Sequence, residues 1–386
     1  MRIYLDYNAG APLAPEARHA MAAYLGEEAG NSSSIHWAGR RARAALDEAR
    51  AAIAALVGAP SGDIVLTSGG TEANNLALRG ALGHSGGRHI VTTAIEHASI
   101  LDTCAALRTH GCDVTWVGVD RLGRVDPDAV KAAIRNDTAV VSVGLANSEV
   151  GTIQPVGQLS RHARARNVLL HVDAVQAGGR IPVSVDALGA DLLSLSAHKL
   201  GGPAGIGALY VRSGVRLERQ ATGGPQERGR RAGTENVVGA VGFGVAARIA
   251  DACREVEAVR HRALIQALWI RIEATIEDVE RNGPPEGAGV VPNTLSVSFR
   301  GADADGLVIG LDLAGIAVSA GSACDAGSLR PSHVLLAMGR SAAEARSALR
   351  ISIGRETTPA DLAYLLDTLR GVVARSRGAV TTEVRA

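Results

Sequence analysis

The chain has 386 residues, 46% of them hydrophobic, enough for more than one core, so a large and a small domain are expected. Lys and Arg total 40 against 39 for Asp and Glu, a formal charge of +1, and aromatics make up 3%. That balance gives neither an electrostatic nor a stacking reason to expect nucleic acid or an anionic membrane as partner. The start, Met1-Arg2-Ile3-Tyr4-Leu5-Asp6, carries no apolar signal core, and no apolar run approaches the roughly 18 residues of a membrane span, so a cytoplasmic protein is expected. Cys104, Cys112, Cys253 and Cys324 form no C-x-x-C pair and have no His at zinc-ligand spacing, so neither a disulfide nor a metal site is expected.

In chain order, an Ala-rich helix is predicted over 40–57, stopped by Gly58. Short Val/Ile/Leu runs then recur between helical stretches, at 64–67, 89–92, 114–117, 139–142, 168–171, 192–195 and 206–211. This pattern predicts a mostly parallel α/β sheet, with a further helix over 156–167. The last two runs are joined by a loop too short for a crossover helix, so one strand is expected to be antiparallel. After an Arg/Gly-rich loop at 223–233, a long helix over 234–276, broken near its middle, leads into a second domain. There, 294–299 alternates as a half-buried strand, and 349–353 alternates again, with Leu349, Ile351 and Ile353 inward and Arg350 and Ser352 on the other face.

Two of the apolar runs end on residues that carry chemistry. One leads into His171-Val172-Asp173-Ala174-Val175-Gln176, the other into Ser196-Ala197-His198-Lys199. A carboxylate past one strand end and an amine past another, flanked by Ser and His, meet the needs of an aldehyde cofactor with a basic ring nitrogen and a phosphate. That cofactor is pyridoxal phosphate: Lys199 would form the Schiff base, Asp173 would keep the ring nitrogen protonated, and small polar donors would hold the phosphate. Ser68-Gly69-Gly70-Thr71-Glu72-Ala73-Asn74-Asn75 lies between a strand and a helix, where free N–H groups and the Thr71 hydroxyl can cradle that phosphate. A plain capping box on Thr71 is the competing explanation. His97 also follows a strand and can stack on a flat ring, and Asn147, Gln176 and His198 come from strand ends able to converge on the same pocket. Far downstream, Ser319-Ala320-Gly321-Ser322-Ala323-Cys324-Asp325-Ala326-Gly327-Ser328 sets one Cys in a run of small residues, which points to sulfur chemistry. The other three cysteines read as packing residues.

On these residues the chain resembles a cysteine desulfurase of the NifS/IscS type, within the class V group of pyridoxal-phosphate enzymes. The likeness runs from Tyr4-Leu5-Asp6 to Leu349-Arg350-Ile351-Ser352-Ile353-Gly354-Arg355. It includes Asn147-Ser148-Glu149-Val150-Gly151, Arg231-Ala232-Gly233-Thr234-Glu235-Asn236, Ser328-Leu329-Arg330-Pro331-Ser332-His333 and the Cys324 segment. It implies the α/β architecture of the pyridoxal-phosphate-dependent transferases of fold type I. A seven-stranded, mostly parallel sheet would lie in a large domain, 16–260, and a smaller α+β C-terminal domain, 1–15 with 261–386, would carry the catalytic cysteine loop. It also implies roles: Lys199 as the Schiff-base lysine, Asp173 on the pyridine nitrogen, Gln176 on the ring oxygen and His97 stacked over the ring. Gly70, Thr71, Ser196 and His198 would hold the phosphate, and Thr234 would reach the phosphate of the neighbouring subunit in a homodimer. Asn147 and Arg350 would bind the substrate carboxylate, a guanidinium fork suiting that group, and Cys324 would be the nucleophile.

The implied reaction takes sulfur from L-cysteine, gives L-alanine and leaves a persulfide on Cys324 for an acceptor protein such as an iron–sulfur scaffold. A selenocysteine lyase or a related aminotransferase is the alternative, because Lys199, Asp173 and the phosphate contacts serve all three; Cys324 argues against the transaminase. A non-catalytic sulfur-assembly subunit is disfavoured, because every residue the chemistry needs is present. The chain departs from the family pattern at Gly10-Ala11, where a Thr pair is usual, at Ser148, where a second Asn is usual, and at Asp325, where a Ser usually follows the nucleophile.

Overall fold

The computed structural model describes residues 2–26, 30–285, 287, 289–321 and 331–383; Cys324 and Asp325 lie outside the described residues. A short strand, β1 (Ile3–Tyr4), precedes seven strands that share one sheet: β2 (Ile64–Thr67), β3 (His89–Thr93), β4 (Asp113–Val117), β5 (Thr138–Gly144), β6 (Leu169–Asp173), β7 (Leu192–Ser196) and β8 (Gly207–Val211). Their order is β2-β8-β7-β6-β5-β3-β4. All neighbours are parallel except at β8, which runs antiparallel to both β7 and β2. The short connection after β7 thus gives the antiparallel strand expected of it.

Residues of β2, β3, β7 and β8 are buried along their whole length, as in a sheet covered on both faces. A polar side chain there must find its partners inside the sheet. His171 on β6 does so between Ser142 Oγ on β5 (2.8 Å from Nδ1) and Ser194 Oγ on β7 (2.9 Å from Nε2). Burial pushes its pKa down to about 4, so the ring is neutral in the fold.

The helix expected at 40–57 spans Trp37–Leu56, starting earlier because His36 caps it through Nδ1, which accepts from Gly39 N. Gly58 ends it with φ +64°, a conformation that favours glycine. The helix expected at 156–167 spans Val156–Arg164, and Asn167 turns the chain beyond it with φ +55°. The long helix is not broken: Val237–Thr275 is continuous over 39 residues, entered through an Asn236 cap. Its glycines do not mark a kink. Gly244 lies where a Cβ would meet Ala49 at 2.8 Å, and Gly242 where one would meet Met21 Sδ at 2.5 Å, so they let neighbouring helices approach.

Five more strands build the second sheet region: β9 (Val279–Asn282), β10 (Thr294–Phe299), β11 (Ile316–Ala317), β12 (Ser319–Ala320) and β13 (Ala348–Ser352). The antiparallel order is β12-β13-β10-β9, and β1 pairs parallel with β11. β10 and β13 are buried on both faces, not half-buried as their alternation predicts. The polar face is covered by polar partners: Asn8 Nδ2 donates to Thr294 Oγ1 (2.9 Å) and Asn282 Nδ2 to Ser298 Oγ (3.0 Å). One apolar cluster gathers around Leu46, Val141, Val172 and Phe243; another joins Ile3 and Leu5 to Leu268, Phe299, Leu349 and Leu365. Among the described residues no helix is long and apolar enough to cross a membrane.

Candidate active site

The carboxyl ends of β2, β3, β5, β6 and β7 open on one edge of the large sheet, where open α/β sheets bind ligands. A cavity of about 350 Å3 lies there. Gly70, Thr71, His97, Asn147, Asp173, Gln176, Ser196, His198 and Lys199 all line it, each delivered by the residue or turn that ends a strand or starts a helix.

Asp173 closes β6 and is buried. Its Oδ2 accepts from Asn74 Nδ2 (2.8 Å) and its Oδ1 from Val175 N (3.0 Å), which fixes the carboxylate, and among the described residues it makes no ion pair. His97 follows β3 and caps the Ala98–Arg108 helix: Nδ1 accepts from Ser99 N at 3.0 Å. Lys199 donates through Nζ to the carbonyls of Asn8 (2.5 Å) and Ala9 (2.8 Å). Gln176 Nε2 donates to Asn8 O (2.9 Å), while its Oε1 accepts from Arg180 Nη1. His198 Nδ1 sits 2.9 Å from Ser196 Oγ. Burial, with Lys199, Arg180 and His97 acting in the same direction, pushes the His198 pKa down to about 4, so it is a neutral ring at ordinary pH.

The Gly70–Ser85 helix points its first turn into the cavity, and no side chain caps it. The capping-box explanation for Thr71 therefore does not hold. Glu72 instead accepts from Ser68 N (2.6 Å) and pairs with Arg231 Nε (2.8 Å), leaving the first turn as donors. Gly70 permits the close approach, since a Cβ there would meet Val175 Cγ2 at 2.8 Å.

These groups fit pyridoxal phosphate. A fixed carboxylate without a cationic partner suits a protonated ring nitrogen, a lysine amine lies in the same cavity, and an uncapped helix start beside Thr71, Ser196 and His198 suits a dianionic phosphate. Asn74 Oδ1, buried beside Asp173, has no partner among the described residues, as expected where a ligand is to complete the polar contacts.

The sequence pattern of the aminotransferase class-V family matches residues 3–365. The chain belongs to that family. Among class-V relatives it is 44% identical to a protein of Dictyoglomus turgidum named cysteine desulfurase IscS, over 97% of this chain and 95% of that one. A solved structure described as a NifS-like protein superposes with a TM-score of 0.90 at 35% identity, covering 97% of this chain and 100% of the other. Another, described as SspA in complex with cysteine, gives 0.79 at 34% identity, covering 92% and 99%. The large sheet is the mostly parallel α/β sheet of the fold-type-I class-V enzymes.

Two of the expected site residues stand outside the cavity. Thr234 is exposed and faces a separate pocket of about 110 Å3 with Ser68, Gly205 and Glu235. Arg350, on β13, is almost fully buried: Nη2 pairs with Asp6 Oδ1 at 2.7 Å, Nη1 donates to Ser148 O at 3.2 Å, and Nε is buried without a partner among the described residues. Ser148 lines the cavity, so Arg350 stands directly behind its wall. Asn147 lines the cavity but already uses both amide ends: Oδ1 accepts from Glu149 N (2.9 Å) and Val150 N (3.0 Å), and Nδ2 donates to Ile95 O (3.0 Å). Its remaining Nδ2 hydrogen is its only further donor.

Asn74, Ser99, Glu96 and Asp6 join the site or its immediate support without having been singled out by sequence. Asn74 lies in the Gly-rich segment and Glu96 directly precedes His97, so their position was visible while their function was not. Asp6 meets Arg350 from 344 residues away.

Proposed function

We propose that the chain is a pyridoxal-phosphate-dependent cysteine desulfurase that takes sulfur from L-cysteine and leaves it as a persulfide on Cys324. The observation that carries this reading is the single cavity lined by Asp173, His97, Lys199, Ser196, His198 and Thr71 in a class-V chain whose relatives bear the desulfurase name. When bound, pyridoxal phosphate joins covalently to amines and, protonated on its ring nitrogen, withdraws electrons from the substrate Cα.

The chain's own groups divide the remaining work. Asp173 holds the proton at the ring nitrogen, as a carboxylate fixed by two N–H donors does at low cost in reorganisation. His97 would cover the ring, and Gln176 would have its second Nε2 hydrogen for the ring oxygen. Gly70 and Thr71 at the helix start, with Ser196 and neutral His198, hold the phosphate. Asn147 would give its remaining amide hydrogen to the substrate carboxylate, and Arg350, behind the Ser148 wall with its Nε unpartnered among the described residues, would supply the positive charge. Lys199 Nζ, in the same cavity, would take the Cα proton.

The sulfur step balances without an outside oxidant. The Cys324 thiolate forms an S–S bond to the substrate sulfur while the substrate C–S bond breaks, its electron pair staying on carbon, which takes a proton. L-cysteine and a thiol become L-alanine and a persulfide. The persulfide is then handed to an acceptor protein such as an iron–sulfur scaffold, in the cytoplasm. The working form is a homodimer in which the exposed Thr234 reaches the phosphate site of the partner. The proposal includes two domains, 16–260 against 1–15 with 261–386. The two apolar clusters support that division, while the Val237–Thr275 helix runs through the boundary.

The test is a set of two variants. Lys199→Ala should lose the visible absorption of the lysine-bound cofactor and all turnover. Cys324→Ala should keep the absorption and respond spectrally to L-cysteine while alanine and sulfide production collapse. A Cys324→Ala protein that consumes L-cysteine at the parent rate, giving a keto acid in place of alanine, would contradict the desulfurase reading and favour a β-lyase or transaminase.

A further inference from the structure

We propose that Glu96 is a positioning residue of this site: its buried carboxyl group bolts the turn that carries His97 to the strand end beside Asp173. The proposal rests on the reading of the pocket given above. Glu96 is 4% exposed and follows β3. Its Oε1 lies 2.5 Å from Thr93 Oγ1, and its Oε2 accepts from Gly144 N (2.8 Å). Gly144 ends β5 and is the register partner of Asp173 on β6, and the next residue, Leu145, donates its N–H to Asp173 O at 2.8 Å. One side chain therefore connects the group expected over one side of the ring to the backbone that aims the carboxylate at the ring nitrogen. Gly144 leaves the room for it, since a Cβ there would lie 3.1 Å from Glu96 Oε2.

The surroundings set the charge of this group. Asp173 faces it from β6, His97 stands on its own turn and Thr93 on β3. Cys104 faces it from the Ala98–Arg108 helix, and the His333 ring contacts its backbone carbonyl at 3.1 Å. No Lys or Arg forms an ion pair with it among the described residues. Burial, with Asp173 adding in the same direction, raises its pKa from 4.5 to about 8, so at neutral pH it is a neutral acid. Cys104, itself pushed up to about 12, adds no charge. A neutral Glu96 leaves Asp173 as the one carboxylate charge on that wall, available to the ring nitrogen. An ionised Glu96 would place a second carboxylate charge beside it.

The experiment compares Glu96→Gln and Glu96→Ala with the parent as full-length proteins, read by pyridoxal-phosphate titration and by the pH dependence of unfolding without cofactor. Glutamine reproduces the neutral acid: its oxygen accepts from Gly144 N and its amide donates to Thr93. Glu96→Gln should bind the cofactor within about threefold of the parent, and Glu96→Ala, which strands the Gly144 N–H, about tenfold or more weakly. Between pH 4.5 and 8 the folded parent keeps a proton that the unfolded chain has released, so its stability relative to Glu96→Gln should fall as pH rises through that window. A residue that merely fills space would give no such pH difference.

Cofactor binding by Glu96→Gln as weak as by Glu96→Ala, Glu96→Ala binding as tightly as the parent, or a flat pH difference would each overturn the proposal. If Glu96→Ala does not fold, the Glu96→Gln affinity and pH profile decide alone. A parent protein that gives no visible band with pyridoxal phosphate contradicts the reading of the pocket and takes this proposal with it. A parent that binds while the variants fail these comparisons contradicts this proposal only.

Discussion

Two buried arginines in this molecule meet their carboxylates in different ways. Arg50 and Glu227 form a closed fork, Nη1 to Oε2 and Nη2 to Oε1 both at 2.6 Å; Leu66 N adds a third bond to Glu227, and Ile64 O accepts from Arg50. Arg350 is as deeply buried as Arg50 but its partner Asp6 is partly exposed, and they share one bond of 2.7 Å that leaves Arg350 Nε without a partner among the described residues. The first pair ties the Arg/Gly-rich loop to β2, with Glu227 and Arg228 held at φ +49° and +57°. A saturated pair of this kind can only hold structure. The second stands behind the cavity wall with a donor to spare, and a buried donor left open is costly unless something fills it. Saturation, more than burial, separates scaffold from site here.

The sharpest way to break that contrast is Glu227→Ala. Removing one partner of a buried closed pair leaves the Arg50 charge uncompensated, so about 3–5 kcal/mol of stability should be lost. Chemical unfolding would measure it, and a loss below 1 kcal/mol, on the order of a surface pair, would dissolve the distinction.

His171 belongs to the saturated class, since both ring nitrogens are used inside the sheet. Its pKa is depressed to about 4, so below pH 6.5 the unfolded chain binds a proton that the folded ring refuses. Stability from this group is therefore lost as pH falls from 6.5 to 4, by up to about 3 kcal/mol. Neutral His198 adds a slope of the same sign. Unfolding of His171→Gln and the parent across this range should show a smaller acid slope in the variant. Equal slopes would mean that the ring charges in place.

On the open side, Arg350→Ala should lower kcat/KM for L-cysteine by roughly ten- to a hundredfold, the roughly 1.5–3 kcal/mol of a charge-assisted contact. Cofactor content should stay at the parent level. Loss of cofactor together with activity would move Arg350 into the scaffold class. Asp6→Asn, which keeps the shape but removes the charge, should have the smallest effect, about 1 kcal/mol or less in KM with kcat retained. Steady-state kinetics separates the two terms.

The residues that sequence made legible share one property: each ends an apolar run. Asp173 and Lys199 close or follow five-residue strands with three apolar residues each, and carboxyl ends of parallel strands converge by topology alone. What sequence left hidden depends on contacts across long separations. The Asp6–Arg350 pair and the Glu96–Gly144 bond come from chain segments brought together only by the completed sheets. Alternation at 294–299 was misleading for a similar reason, because Asn8 and Asn282 cover the polar face with matched partners. The break expected near the middle of the long helix is absent, and Gly242 and Gly244 near its start serve as contact points for Met21 and Ala49.

The most direct test of the desulfurase reading is a single turnover of cofactor-loaded protein with L-cysteine, followed by mass spectrometry of the Cys324 peptide under non-reducing conditions. The parent should carry one added sulfur atom on Cys324 with one equivalent of L-alanine released, and Lys199→Ala should carry none. Substrate consumption with Cys324 unmodified, and a keto acid in place of alanine, would contradict it.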